Sequence, residues 1–447
     1  MDIAERAGSV MPHWSRQYAL AATRAKQQRV SRADELISKL LLFYIVLNPI
    51  IDAYAGMNRA TAIGSALPTV CRASWILLAS VYALPGIEKT VNGALRQVMF
   101  PLLLLAVVAG VTETLLGDAA SGIEAAARLS FLPVTIAATY RLRTRCIISK
   151  ESLAVPVALG GVALLACIAA GGVFGLGVRN AYRNEGIAVS GTLFSAQTTG
   201  VFTLILHGIL GLRWRNRVMR SIWGVSILAA VLTTGVRAAL LMALGCAVIY
   251  ALTTERRSRP RAPHTFKYFI GLFTVLLVTS AATALTWNRF PELQARWNDL
   301  SASGRTTFQA IVVRDILDRP TAEQLCGRGR QYVESLLGGS YGARIGAHND
   351  FLDVWSAYGL LGLGTLIIGV IGICGASLRM RRAGWEWRCE HMAAVVSYMI
   401  ASLTHGTINY MGFTFLFGII IGMSFASVSN ARRSVHLKQC QYQWSAR

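Results

Sequence analysis

Apolar runs long enough to cross a bilayer recur along this chain, and short clusters of arginine and lysine separate them. A hydrocarbon core of about 30 Å takes roughly 20 helical residues to cross. "MFPLLLLAVVAGVTETLL" (99–116) and "SLAVPVALGGVALLACIAAGGVFG" (152–175) are of that kind. Hydrophobic residues make up 54% of the sequence and charged ones only 15%, which is polytopic membrane composition. The unbroken Leu/Ile/Val/Ala runs exclude a transmembrane β-barrel, whose strands alternate apolar and polar residues over short segments. The fold class expected is all-α, with about twelve spans near 37–54, 62–84, 98–116, 123–140, 152–176, 190–212, 221–234, 237–253, 267–287, 351–378, 390–405 and 408–428. No cleavable signal peptide is read at the start, because the first 38 residues are polar and basic.

A formal net charge of +22 could point to nucleic acid, but no basic domain gathers the charge. It follows the positive-inside pattern instead. With a cytoplasmic N-terminus, the segments 1–39, 85–97, 141–150, 213–220, 255–267, 379–388 and 429–447 hold 30 of the 44 basic residues. The short outside loops hold only Arg59, Arg179, Arg183 and Arg237. The chain then divides into a cytoplasmic basic segment (1–36), spans one to nine (37–287), an outside loop (288–350), spans ten to twelve (351–428) and a cytoplasmic tail (429–447). Neither internal repeats nor the inverted halves of many transporters are visible. Eight cysteines without a CxxC pair indicate neither a zinc site nor a disulfide framework.

The long outside loop is where surface chemistry has room. "NRFPELQARWNDL" and "GRTTFQAIVVRDILDRP" have the spacing of short amphipathic helices, and "CGRGRQYVESLLGGSYGARIG" reads as a glycine-rich loop. Trp287, Phe290, Trp297 and Phe308 suit helices lying at headgroup level. Arg305 opens the second helix behind Ser303 and Gly304, where a helix N-terminus and a guanidinium can share an anion. Arg328 and Arg330 have the charge and flexible backbone of an anion loop. Arg237 stands at the outer start of the eighth span, either as a ligand for an anion or as an anchor reaching to the headgroups; Arg72 and Arg128, near other outer ends, read as anchors. His348 is a proton carrier at the point where the loop enters the tenth span, and Asn349 and Asp350 beside it can orient a ring or a substrate hydroxyl. Asp353, one turn on, either orients the histidine or caps the span; His207 and His405 read as structural. No cluster has metal-ligand spacing.

Taken in order, these features resemble the O-antigen ligase and O-antigen polymerase superfamily of bacterial envelope glycosyltransferases. The resemblance rests on the late outside loop, Arg237, the "SGR" of Ser303 to Arg305, the "GRG" of Gly327 to Gly329, and above all "HNDFLDVWSAYGLLGL" from His348 to Leu363. "EGIAVSGTLFSAQTTG" (Glu185 to Gly200) resembles the segment preceding a middle span, and Gly235 and Val236 stand where the family often has a serine. The resemblance implies a glycosyltransferase-C-like fold needing no metal or cofactor, in the inner membrane with its active site facing the periplasm. It implies a donor glycan on undecaprenyl diphosphate, with Arg237 and Arg305 binding the diphosphate and His348 serving in catalysis.

Three functions follow as expectations. A polymerase adds the growing glycan to another lipid-linked repeat unit, making O-antigen, capsule or exopolysaccharide; "LNPIIDAYAG" favours it. A ligase hands the finished glycan to lipid A core. A flippase or transporter is the third, disfavoured because the ionisable groups gather at the outer surface rather than at mid-bilayer. The implied partners are membrane lipids, the lipid-linked glycans or lipid A core, and flippase and chain-length regulator proteins; nucleic acid is not among them.

Overall fold

A computed structural model describes residues 31–57, 62–83, 93–174, 198–211, 217–234, 236–254, 305–341, 346–383, 387–408 and 410–445. The described residues are helical, with short turns and no strand among them. In chain order the helices are α1 (Arg32–Met57), α2 (Ala62–Ala83), α3 (Gly93–Leu116), α4 (Ala119–Thr144), α5 (Lys150–Phe174), α6 (Thr198–Gly211), α7 (Arg217–Thr234), α8 (Arg237–Thr254), α9 (Arg305–Asp318), α10 (Thr321–Cys326), α11 (Arg330–Tyr341), α12 (Asp350–Ala383), α13 (Arg388–Thr404) and α14 (Met411–Ser445). Among the described residues, four stretches are long and apolar enough to cross a membrane: α3, α5 over Lys150–Ala169, α12 over Asp350–Ala376 and α14 over Met411–Ser429. This is the architecture of a polytopic membrane protein. The apolar run at 267–287, the "NRFPELQARWNDL" segment and the glutamate-led segment from 185 lie wholly or mostly outside the described residues.

The first half of α14 is the core helix, with Phe413, Phe415, Phe417 and Ile419 to Ile421 fully buried. In lipid, helices gain little from hydrophobic exclusion, so small residues that let backbones close up carry the packing. Gly418 and Gly422 of α14 lie against Thr135 and Thr139 of α4; a Cβ on Gly422 would sit 2.7 Å from the Ile136 carbonyl oxygen. Gly122 of α4 approaches Gly110 of α3 in the same way. Rings complete the seam: Tyr398 of α13 stacks on Phe417 at 4.7 Å, and Tyr44 of α1 meets Phe415 edge-on at 4.8 Å.

Helix α4 gives the molecule two ends. At one, buried Asp34 binds Arg145 at 2.9 Å and the Tyr82 hydroxyl at 2.7 Å, latching α1, α2 and α4 together. At the other end stands Arg128, about 25 Å away at 1.5 Å per helical residue. Sequence reading makes Arg128 an anchor reaching to the headgroups; instead it is only 9% exposed and bonds Glu124 at 2.6 Å, one turn back along α4.

Helix α12 is broken, and the break positions everything at the Arg128 end. Gly359 has φ 65° and ψ −167°, so the turn before it loses its in-helix donors. The loop after α10 replaces them: the N–H groups of Arg328 and Gly329 donate to the Ser356 and Ala357 carbonyls at 3.2 and 2.9 Å. This docking is tight in both directions. A Cβ on Gly327 (φ 79°) would lie 2.2 Å from the Ala357 oxygen, and one on Gly359 would lie 2.1 Å from the Leu325 oxygen.

Each of these two glycines is therefore required for both its backbone angle and its space. An L-residue in the left-handed region costs about 1–2 kcal/mol before any clash. Gly359→Ala and Gly327→Ala are each expected to destabilise the purified protein by on the order of 3 kcal/mol or more, read as a fall in melting temperature. Gly364→Ala, where a Cβ meets nothing within 4 Å, is expected to leave the melting temperature unchanged or higher.

Candidate functional site

His348 lies in the turn that leads into α12, and the residues just after it hold that turn. Asn349 is the N-cap, its Oδ1 accepting from the N–H groups of Phe351 and Leu352 at 3.0 and 3.3 Å. Asp350 is fully buried and binds the α13–α14 connection, accepting from the Thr407 N–H and hydroxyl at 2.9 Å each and from the Ile408 N–H at 3.0 Å. Asp353 reaches back, its Oδ1 accepting from the Ala347 N–H at 2.7 Å. It lies against Gly346, where a Cβ would come within 2.9 Å of that oxygen.

Pulled from both sides, His348 adopts φ 55°, a left-handed angle uncommon for a residue with a side chain. Its ring lies 6.3 Å from that of Phe308, tilted by 34°. Phe308 belongs to a small separate core in which Phe308, Val312 and Ile316, on one face of α9, pack with Leu337 of α11 and Ala347. Arg305 opens α9 one turn before Phe308, so the start of that helix and the His348 turn are neighbours.

The start of α8, Arg237, belongs to the same end of the bundle. Gly211 of α6 meets Trp223 of α7 and Gly208 meets Ile227, so α6 and α7 run antiparallel. The end of α7 therefore rises to the level of Phe202 near the start of α6, and Phe202 touches the His405 ring at 5.0 Å. His405 ends α13, whose Leu403 carbonyl accepts from the Asn349 side chain at 3.4 Å. Arg237 follows α7 by three residues. His207, in contrast, is buried in mid-helix and bonds the Val157 carbonyl at 2.9 Å.

The stretch read as a glycine-rich anion loop is mostly helix. Val333, Leu336 and Leu337 fall on one face of α11, and burying them outweighs the helix-weakening glycines at its end. Arg328 is turned inward to Glu323 and the Tyr332 hydroxyl, the latter at 2.7 Å, and its guanidinium lies 4.7 Å from the Tyr332 ring centre. The ion-paired Glu323 raises the Arg328 pKa. Arg330 pairs with Glu334 at 2.9 Å, and its N–H donates to Glu113 of α3 at 2.6 Å. Thus both arginines of "GRGR" bond within the protein.

Sequence reasoning passed over Arg319, Asp315, Tyr332 and Glu113. Arg319 is 5% exposed; it bonds Asp315 and donates to the Ser356 carbonyl at 2.8 Å and hydroxyl at 2.7 Å, closing the C-terminal end of α12's first piece. Tyr332 donates to Asp315 at 2.7 Å, and burial, with that bond, raises its pKa. The Asp315–Arg319 spacing of four was visible as a helical ion pair, but nothing local showed that it faces inward. Glu113 is an acid inside an apolar run, a costly placement that by itself signals a buried partner.

The family model described as O-antigen ligase matches residues 222–367. The matched third of the chain contains Arg237, Arg305, His348 and the Gly359 break, and it supports the O-antigen ligase and polymerase superfamily. That family is one of membrane glycosyltransferase-type enzymes. No curated protein matches the chain.

The left-handed angle at His348 separates its contribution to stability from any role of the imidazole. His348→Gly is expected to keep or raise the melting temperature, by up to about 1 kcal/mol of stability, because glycine adopts that angle at no steric cost. A loss of several kcal/mol on thermal unfolding would show that the side chain holds the turn.

Proposed function

We propose that the protein is an inner-membrane glycosyltransferase that joins glycans carried on undecaprenyl diphosphate at the periplasmic face, with about twelve spans and the segment 288–350 outside. The observation that supports it most is that one end of the bundle carries the starts of α8 and α9, opened by Arg237 and Arg305, together with the His348 turn. The family match runs through all three. The opposite end carries Arg141, Arg143 and Arg145, which the positive-inside rule assigns to the cytoplasm.

In the reaction, the acceptor hydroxyl attacks the anomeric carbon of the donor sugar as the bond from that carbon to the diphosphate breaks. His348 takes the hydroxyl proton, a role typically worth about a hundred- to ten-thousand-fold. Negative charge grows on the leaving diphosphate, and Arg237 and Arg305 stabilise it with planar, permanently charged donors. Arg328, Asn349 and Asp350 act behind them by holding the loop and the turn in place.

The product is a polymer of repeat units, as O-antigen, capsule or exopolysaccharide. The description of the matched family favours a second reading, a ligase that transfers the finished glycan to lipid A core. His348→Ala and Arg305→Ala are each expected to reduce glycan transfer at least a hundredfold while the protein still inserts, measured on membranes normalised for its amount. Near-normal transfer in both variants would defeat the assignment. Deleting the gene and analysing the lipid-linked pool separates the products: single repeat units accumulate if a polymerase is lost, and long lipid-linked chains if a ligase is lost.

A further inference from the structure

A cavity of about 80 Å³ opens beside the His348 turn, between α4, α11 and the first piece of α12. Arg128, Arg330, Glu334, Asp353 and Tyr358 line it, with Gly346 at its edge. It lies on the opposite side of α12 from Arg305. Leu352 and Trp355 pack toward the small core that holds α9, whereas Asp353 and Ala357, about 100° to 200° around the helix, face the cavity. His348 stands at the head of α12, with its ring 6.3 Å from that of Phe308, two residues along the chain from the Gly346 that lines the cavity.

The charges around the cavity decide what it accepts. Its two guanidiniums are already matched, Arg128 by Glu124 at 2.6 Å and Arg330 by Glu334 at 2.9 Å. Asp353 adds a carboxylate, and Glu113 lies behind it on the Arg330 N–H. A diphosphate would bring further negative charge against these acids. Like charges held a few ångströms apart away from bulk water repel strongly. A neutral polyol fits: its hydroxyls donate to Asp353 and Glu334 and accept from the guanidiniums. The flank of Val354 and Ala357 offers apolar surface to the C–H face of a sugar ring.

We infer that this cavity is the subsite for the acceptor sugar, holding the ring whose hydroxyl attacks, while the donor diphosphate lies across α12 beside Arg237 and Arg305. The inference rests on the glycosyltransferase reading in its polymerase form, where the acceptor is a repeat unit, and adds to it a place for that second substrate. Asp353 has two duties there, one oxygen fixing the Ala347 N–H next to His348 and the carboxylate facing the sugar.

The test uses the full chain in lipid nanodiscs and, as probe, the lipid-free repeat-unit oligosaccharide released by mild acid from the same bacterium's lipid-linked pool, with binding followed by calorimetry. Wild-type protein is expected to bind it, and inorganic pyrophosphate not to displace it. Asp353→Asn, which can still accept from Ala347, and Glu334→Gln, at a partly exposed position, are expected to weaken binding at least tenfold with melting temperatures retained. Arg305→Ala is expected to leave oligosaccharide binding unchanged. Displacement by pyrophosphate, unchanged affinity in both cavity variants, or no binding by the wild type would each overturn the assignment. Glycan transfer is scored separately, so wild-type protein that binds the oligosaccharide at the cavity but transfers nothing would defeat the enzymatic reading alone.

Discussion

The Ser356 and Ala357 carbonyls lose their in-helix donors where α12 breaks at Gly359, and the chain supplies others from the 327–329 loop and from Arg319. An unmet backbone acceptor inside protein costs about 1–3 kcal/mol, so the break is stable only while the loop is docked. The dependence also runs the other way. Gly327 and Gly329 take left-handed angles that bring the Arg328 and Gly329 N–H groups onto those carbonyls, and Arg330, next in the chain, begins α11 against Glu113. One backbone contact thus sets where α10 and α11 sit, and through the Phe308 core where α9 begins.

Around that contact the buried acids act chiefly as acceptors for backbone N–H groups. Asp350 takes the chain at Thr407 and Ile408, Asp353 takes Ala347, and Glu113 takes Arg330. Each joins segments far apart in sequence or closes a turn that has no regular hydrogen bonding of its own. The bonds of Asp350 and Asp353 hold the backbone on both sides of His348, which explains how it can be kept at an unfavourable backbone angle.

The helices were legible because their signal is local. Length and apolarity read along the chain located most of them within a few residues. The motif from His348 to Leu363 carries the family resemblance, and it lies within the residues that the family model matches. What could not be read was the direction a side chain takes. Arg128 and Arg328 carry the residue type of an anchor and of an anion ligand, and only the positions of Glu124, Glu323 and Tyr332 turn them inward. The break at Gly359 escaped for a related reason: one glycine among several in "AYGLLGLG" is singled out by the loop that docks on it, about thirty residues earlier.

Helix starts meet at the Arg128 end, those of α8, α9, α11 and α12 among them, and each carries roughly half a positive charge from its aligned peptide dipoles. Two of these have acidic residues beside them: Asp350 and Asp353 stand in the first turn of α12, and Glu113 accepts from the first N–H of α11. The starts of α8 and α9 have no acid in their first turns and open with arginine instead. Starts that open with arginine and starts that carry acids thus stand at one end of the bundle. In the proposed reaction, that difference would draw an anionic diphosphate to the arginine-opened starts before any atom of it is bound.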